Sequence, residues 1–282
     1  MTDVAALLSE GRARLADASP SAGLDAEVLL AAALGKDRTW LFTWPEHQPD
    51  DSQMRIYRDW LQRRVQGEPV AYLVGRREFF GYAFLVSEAT LIPRPDTELL
   101  VESILDVIPA EAPCRVLDLG TGTGAIAIAL ALSRPAWQVE ATDLFREALY
   151  LAERNKLRLQ AGNVALRQSR WYAQVQGRFD VIVSNPPYIR ENDQHLQQGD
   201  LRFEPRSALT AGEDGLDDLR EIIAGAAAHL TADGLLALEH GYDQGQAVRE
   251  LMQAAAFGKV ETRLDLGGHE RVTLGWVAPA DA

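Results

Sequence analysis

The stretch Val116-Leu117-Asp118-Leu119-Gly120-Thr121-Gly122-Thr123-Gly124 reads as a buried strand running into a turn with glycine at every second position. An apolar run of helical character, Ala125 to Leu132, follows directly. Glycines in such a turn let the backbone pass close under a ligand, where any Cβ would collide. The spacing is Gly-x-Gly-x-Gly, which departs from the dinucleotide fingerprint Gly-x-Gly-x-x-Gly. Asp143 ends the next strand-like run, about 20 residues on, where a carboxylate can accept both hydroxyls of a ribose. Turn and acid together imply an adenosine-containing cofactor. Taken singly, the glycines could form a ligand-free turn or serve a nicotinamide dehydrogenase, and Asp143 could be a surface acid.

Outward from this turn, strands and helix-length segments alternate. Arg115–Gly120, Gln138–Asp143, Asn163–Ser169, Phe179–Asn185 and Gly234–Gly241 are the strand-like runs. That order predicts an α/β domain with a parallel sheet covered on both faces. The last run, Glu270 to Val277, follows Lys259–Leu266 after only Gly267-Gly268-His269. So short a gap permits only an antiparallel hairpin, because a parallel crossover needs about a dozen residues. A mostly parallel, Rossmann-like sheet with an antiparallel last strand is the methyltransferase variant of the doubly wound fold.

Toward the amino terminus the apolar spacing becomes helical. Ile56 to Trp60, and Tyr57 to Leu61 to Val65, recur in four-residue steps. Val4 to Leu15 and Asp25 to Leu34 read as earlier helices, the second closed by Gly35. Glu78-Phe79-Phe80 and Phe84-Leu85-Val86 flank Gly81-Tyr82 as a β-hairpin would. The prolines of Ile92-Pro93-Arg94-Pro95-Asp96-Thr97-Glu98 exclude helix, while Asp96 or Thr97 can cap the helix that follows. We therefore expect a small helical domain over residues 1–75 serving partner recognition, a hairpin linker over 76–96 and a catalytic domain over 97–282.

Composition narrows the function classes. The net charge of −13 repels a phosphate backbone, so no direct nucleic-acid substrate is expected. Residues 1–96 hold 14 acidic and 11 basic residues, leaving 27 and 17 for the remainder, so the acidity lies mostly in the second part. The lone cysteine, Cys114, excludes an internal disulfide and a cysteine-rich zinc site, and no metal is expected. Met1 to Arg12 carries Asp3 and Glu10 where an export signal needs a basic start and an unbroken apolar stretch. No apolar run approaches the roughly 20 residues of a membrane span. A soluble, cytoplasmic, monomeric protein without a membrane partner is the expectation.

The chemistry is carried by Phe179-Asp180-Val181-Ile182-Val183-Ser184-Asn185-Pro186-Pro187-Tyr188. Each proline fixes φ near −65° and lacks an N–H, so the segment offers rigid carbonyl acceptors without competing donors. The Asn185 side-chain oxygen and the Pro186 carbonyl can each receive one N–H of a planar amide or amine. The nitrogen is then held with its lone pair toward a donor methyl, and the Tyr188 ring can lie against the planar group and favour a developing cation. Asn185, Pro186 and Tyr188 are the expected catalytic residues. Trp171 can shield an adenine ring by stacking, or can simply pack.

These residues, with Gly67-Glu68-Pro69-Val70-Ala71-Tyr72, Leu91 to Glu98, Arg202-Phe203-Glu204-Pro205, Leu238-Glu239-His240-Gly241 and Glu270 to Gly275, carry a resemblance over nearly the whole chain. The sequence resembles the bacterial HemK/PrmC-type methyltransferases, which modify the glutamine of the Gly-Gly-Gln loop in class 1 peptide-chain release factors. The resemblance implies S-adenosyl-L-methionine as cofactor, S-adenosyl-L-homocysteine as product and a role in translation termination. It implies that Gly120, Thr121, Gly122, Thr123, Gly124, Asp143, Trp171 and Asn185 bind the cofactor. It also implies that Asn185, Pro186, Pro187 and Tyr188 clasp the glutamine.

One position departs from the family pattern: Arg170 stands before the tryptophan, where the family commonly has an acid. An arginine cannot accept the adenine amino hydrogens. That contact is then absent, made by a backbone carbonyl or supplied by another acid, and without it cofactor binding would be weaker. Three other readings stay open. A glutamine methyltransferase of a ribosomal protein would use the same chemistry. An adenine-amino DNA methyltransferase shares the Asn-Pro-Pro-Tyr motif; the charge opposes it, although Arg55, Arg58, Arg63, Arg64, Arg76 and Arg77 form a local basic cluster. A cofactor-sensing adaptor would have no need of the clasp.

Overall fold

The computed structural model describes residues 2–278, which divide into two compact units. The first comprises residues 2–76 together with Gln194–Phe203, and the second comprises Arg77–Asp193 with residues 204–278.

Five helices build the first unit: α1 (Val4–Leu15), α2 (Ala22–Leu34), α3 (Arg38–Thr43), α4 (Asp51–Val65) and α5 (Val70–Val74). Polar side chains start three of them. Asp3 accepts from Ala6 N, Asp37 accepts from Trp40 N, and Asp50 with Gln53 forms a reciprocal capping box on α4. Gly35 ends α2 at φ +64° and donates its N–H to the Ala31 and Ala32 carbonyls. Leu7, Leu15, Leu29, Leu30, Tyr57 and Leu61 form the core and are fully buried.

Two readings of this part need correction. Helix α2 starts at Ala22, not Asp25. The Asp25 carboxylate accepts Ser19 Oγ at 2.8 Å, Ser21 Oγ at 2.9 Å and Arg64 Nε at 2.8 Å. On α4, Tyr57 and Leu61 are buried, but Ile56 and Val65 are exposed. Four-residue steps drift about 40° each around a helix of 3.6 residues per turn, so the buried stripe leaves Val65 and continues through Arg64. Arg64 also reaches Asp200 Oδ1 at 3.0 Å, an ion pair between α4 and the inserted segment 194–203.

The hairpin of β1 (Arg76–Phe79) and β2 (Tyr82–Leu85) starts at Arg76, which closes the amino-terminal stretch of the first unit, and opens the second. Its two turn residues are Phe80 and Gly81, at φ +51° and +76°, one position earlier than the sequence suggested. Both lie in the left-handed region that a two-residue turn matched to strand twist requires. A single turn of 3-10 helix, Pro95–Thr97, then leads directly into α6 (Glu98–Val107). Neither Asp96 nor Thr97 caps this helix with its side chain, because the preceding turn supplies continuous helical backbone.

The sheet follows: β3 (Arg115–Leu119), α7 (Ala125–Ser133), β4 (Gln138–Asp143), α8 (Arg146–Leu159), β5 (Val164–Gln168), β6 (Phe179–Ser184), α9 (Asp217–His229), β7 (Leu230–Glu239), α10 (Gly245–Ala254), β8 (Phe257–Leu264) and β9 (Glu270–Val277). Spatial order is β5-β4-β3-β6-β7-β9-β8. Strand β9 alone runs antiparallel to its neighbours, and it lies between β7 and β8 rather than at the edge. Alternation along the strands feeds two apolar layers. Val116, Val181, Val183, Leu235 and Ala237 pack with α6 and α7, while Leu117, Leu119, Ile182, Leu236 and Leu238 pack with α9 and α10. Among the described residues no helix is long and apolar enough to cross a membrane.

Packing in the first unit generates a test. Gly11 sits mid-helix in α1, where alanine would ordinarily stabilise by ~0.5–1 kcal/mol. Here an added Cβ overlaps the hydroxyl of Tyr57, which donates to the Leu7 carbonyl at 3.1 Å, and comes within 2.9 Å of Ala26 Cβ. Gly11→Ala is therefore expected to destabilise by ~1–3 kcal/mol in denaturant melts, the usual cost of overpacking. An unchanged or raised midpoint would mean that Tyr57 is free to move aside.

Candidate active site

The parallel register of β3 against β6 pairs Leu119 with Ser184, so the glycine turn and Asn185 leave the same end of neighbouring strands. Ser184 Oγ donates to the Leu119 carbonyl at 2.7 Å and fastens the two strand ends together. A cavity opens there. Its lining includes Gly120 to Thr123, Asp143, Trp171 and Asn185 to Pro187. Gly124 is not on the wall; it starts α7 at φ +83°, and a Cβ there would press on Ile128 and Ala152. Its glycine is required by packing between α7 and α8. At Gly120, φ +73°, a Cβ would approach the Trp171 ring to 3.3 Å. The missing side chain keeps that space open.

Asp143 is buried, and its carboxylate accepts Gly122 N through Oδ2 and Phe145 N through Oδ1, each at 2.9 Å. Burial raises its pKa, against the pull of those N–H groups. The acid thus braces the glycine turn and still presents lone pairs to the cavity. Beneath it, Asp118 accepts Thr121 Oγ1 at 2.6 Å, and its other oxygen is buried without a partner. Burial pushes the Asp118 carboxyl up to about 7.

Trp171 adopts φ +44°, a conformation that costs an aromatic residue roughly 1–3 kcal/mol and persists only where surroundings enforce it. Ser169 enforces it: Ser169 Oγ donates to the Trp171 carbonyl at 2.8 Å and accepts Gln174 N at 3.0 Å. Arg170 forms a bidentate pair with Glu221, at 2.7 and 2.6 Å, with both side chains largely exposed. The acid on this part of the wall is Asp218, in the first turn of α9, whose pKa is raised by burial.

Asn185 Nδ2 donates to Thr97 Oγ1 at 3.1 Å, which leaves its side-chain oxygen as the free acceptor. Tyr188 is placed differently from Asn185, Pro186 and Pro187. It is not part of the lining, packs against the layer formed with α9 and α10, and donates its hydroxyl to Glu239 Oε1 at 3.2 Å. Gln244 Nε2 holds the Tyr188 carbonyl at 3.0 Å, and Gly215 is needed because a Cβ would overlap that same oxygen. Sequence reasoning missed Thr97, Glu239, Asp218 and Arg94 as members of the site. Arg94 lines the cavity and pairs with the buried Glu204 at 2.5 Å, which joins two of the sequence motifs physically. Thr97 and Glu239 also lie within quoted motifs, but a cap and a strand end were the readings those positions invited.

A strand-turn-helix cradle with a buried acid at the end of the next strand, beside Asn-Pro-Pro, on a parallel sheet with one reversed strand, defines a methyltransferase. The Methyltransferase small domain family model matches residues 95–203, and the PrmC N-terminal domain model matches residues 6–75. The release factor glutamine methyltransferase of Pseudomonas aeruginosa is 55% identical over 98% of this chain and 99% of its own. That of Salmonella typhimurium is 51% identical over 93% and 94%. The crystal structure of a methyltransferase from Pyrococcus furiosus shares the fold, with a TM-score of 0.54 at 19% identity over 78% of this chain and 98% of that one. The chain belongs to the release factor glutamine methyltransferase family.

Buried acids give the site a pH signature. The folded-state pKa values of Asp118 and Glu239 are both about 7, with burial as the first cause. An unfolded carboxyl titrates near 4, so each group binds more protons folded than unfolded between about pH 4 and pH 7. Their contribution to stability is full below about pH 4 and is lost as pH rises through about 7. Asp118→Asn is expected to flatten the fall in Tm between about pH 5 and pH 8 relative to wild type. Parallel melting curves for the two proteins would remove Asp118 as a source.

Proposed function

We propose that this protein transfers a methyl group from S-adenosyl-L-methionine to the side-chain amide nitrogen of the Gly-Gly-Gln glutamine in class 1 peptide-chain release factors, in support of translation termination. The observation that carries the reading is the shared cavity of the glycine turn, Asp143 and Asn185-Pro186-Pro187. Relatives of the same length and half-identical sequence bear the name of this activity.

The open space at Gly120 and the free lone pairs of Asp143 fit an adenosine-containing cofactor. Gly120 to Thr123 would pass under it, Asp143 would accept the ribose hydroxyls, and Trp171 would cover the adenine. Asp218 is the acid we assign to the adenine amino group, in the role that Arg170, turned toward Glu221, does not fill. The cofactor supplies an electrophilic methyl group on a sulfonium. Everything else falls to the protein.

An amide nitrogen is a poor nucleophile because its lone pair is delocalised, as the ~18–20 kcal/mol rotation barrier of amides indicates. Asn185 Oδ1 and the Pro186 carbonyl would each accept one N–H of the glutamine amide, which fixes the nitrogen with its lone pair toward the methyl. Such orientation can supply roughly 7–11 kcal/mol, and both acceptors bind more tightly as positive charge develops on nitrogen. The methylated cation then loses its proton to water or a neighbouring carbonyl, so no strong base is required. The helical unit carries no chemical motif, and we assign it recognition of the partner protein.

The test is incubation with labelled cofactor and, separately, an unmodified release factor, a ribosomal protein and duplex DNA, with the modified residue located by mass spectrometry. Label on the Gly-Gly-Gln glutamine alone is expected. Label on the ribosomal protein or DNA, with the release factor blank, would overturn the substrate assignment. Asn185→Ala is expected to lower single-turnover transfer by about 10²–10³ with little change in Tm, since it removes one preorganised acceptor. Transfer within threefold of wild type would refute the clasp. Asp143→Ala is expected to weaken binding of S-adenosyl-L-homocysteine by roughly 1–3 kcal/mol in calorimetry, through loss of charge-assisted bonds. An unchanged Kd would leave Asp143 only its bracing role.

A further inference from the structure

We propose that Gln244 is a positioning residue for methyl transfer, which anchors the far end of Asn185-Pro186-Pro187-Tyr188 and so fixes where Asn185 and the Pro186 carbonyl stand. The inference rests on the methyl-transfer reading above and concerns a residue that does not line the cavity. Two consecutive prolines leave that segment few ways to be held. Neither has an N–H, so anchors must grip its ends or its carbonyls. The prolines also make it stiff, because each fixes its own φ and confines the residue before it to extended conformations. A stiff segment held at both ends keeps its middle in place. Ser184 holds the near end, within β6 and on the Leu119 carbonyl. Gln244 holds the other, donating Nε2 to the Tyr188 carbonyl at 3.0 Å.

Gln244 stands at the N-cap of α10, where Ser, Thr, Asp or Asn would turn its side chain onto the helix, yet its own side chain caps nothing. It is buried instead, with both ends of its amide engaged elsewhere. Oε1 accepts Gly241 N at 2.8 Å, and Nε2 reaches the Gly215 carbonyl at 3.3 Å as well as that of Tyr188. Turning the amide over would set Nε2 against an N–H and Oε1 against two carbonyls, so only one orientation is satisfied. Two glycines make room for the contact. A Cβ at Gly215 would overlap the Tyr188 carbonyl, and one at Gly241 would come within 2.9 Å of Gln244 Oε1. The grip is rooted in the sheet through the buried His240. The Gly241 carbonyl can only accept, so His240 donates Nδ1–H to it at 2.9 Å, and Nε2 then accepts the hydroxyl of Thr273, in β9, at 2.8 Å. Ile189, the next residue along, is paired by contrast with Leu209 and Ala211 in a loop.

Gln244→Met keeps the length of the side chain and removes both of its donors. Single-turnover transfer at saturating cofactor and release factor, measured well below the melting temperature, is expected to fall at least tenfold, since misplaced acceptors forfeit orientation. The Kd for S-adenosyl-L-homocysteine should stay within threefold of wild type, because the glycine turn keeps its own supports. The release-factor concentration at half-saturation should also stay within threefold. Gly215→Ala presses on the same carbonyl from the other side and should reproduce this split, which decides the matter if Gln244→Met does not fold. Transfer within threefold of wild type in either folded variant would overturn the inference. So would a loss of cofactor affinity as large as the loss of rate, which is what a generally loosened fold would give. A wild-type enzyme that methylates no release factor would instead overturn the function on which it rests.

Discussion

Everything in the site depends on the register of two parallel strands. With Leu119 beside Ser184, the glycine turn and the Asn-Pro-Pro segment emerge side by side, and the Ser184 hydroxyl on the Leu119 carbonyl pins that alignment inside the sheet. A slip of one residue would exchange the two faces of β6 and send Val181 and Val183 toward the layer that Ile182 now fills. The apolar alternation that builds the core therefore also sets the distance between the glycine turn and the Asn-Pro-Pro segment. Stability and chemistry are specified by the same side chains.

Around that register the protein buries several carboxyl groups, each at a cost in desolvation. Asp118 and Asp143 brace the glycine turn through Thr121 and Gly122, and Glu239 accepts the Tyr188 hydroxyl behind Asn185-Pro186-Pro187. Glu204 holds Arg94 on the cavity wall. Asp143 is itself on the cavity wall, and Asp118 and Glu204 sit just behind residues of the lining. Rigid acceptors need rigid supports, and a buried ion has few ways to relax. The acidity concentrated in the second part of the chain thus has a local use, beyond its effect on the charge seen by a partner.

Much of this was legible in the sequence because it follows periodicity and backbone restriction. The strand boundaries from β3 to β6 came within about one residue, since two-residue alternation and flanking glycines mark them. Gly35 as a helix end was readable from its freedom at positive φ. Four-residue steps on α4 misled at Ile56 and Val65, where the drift of the helix carries an apolar residue off the buried stripe. Thr97 looked like a cap because caps are local, whereas its partner Asn185 is 88 residues away. The same distance problem hid Asp218, which enters the cavity from the start of α9, and the corrected position of Tyr188, whose ring packs inside the sheet layer instead of lining the cavity. Contacts made by topology leave little trace in neighbouring residues.

The segment Gln194–Phe203 belongs to the helical unit although it is encoded after the Asn-Pro-Pro-Tyr strand. During synthesis a chain emerges from its amino terminus, and an early domain can ordinarily finish folding while the rest is made. Here Arg64, buried against Asp25, lacks its Asp200 partner until more than a hundred further residues have appeared. By then β3, β4, β5 and β6 have all left the ribosome. The helical unit is thus completed only after the strands that carry the glycine turn and the Asn-Pro-Pro segment exist, so its maturation is tied to theirs.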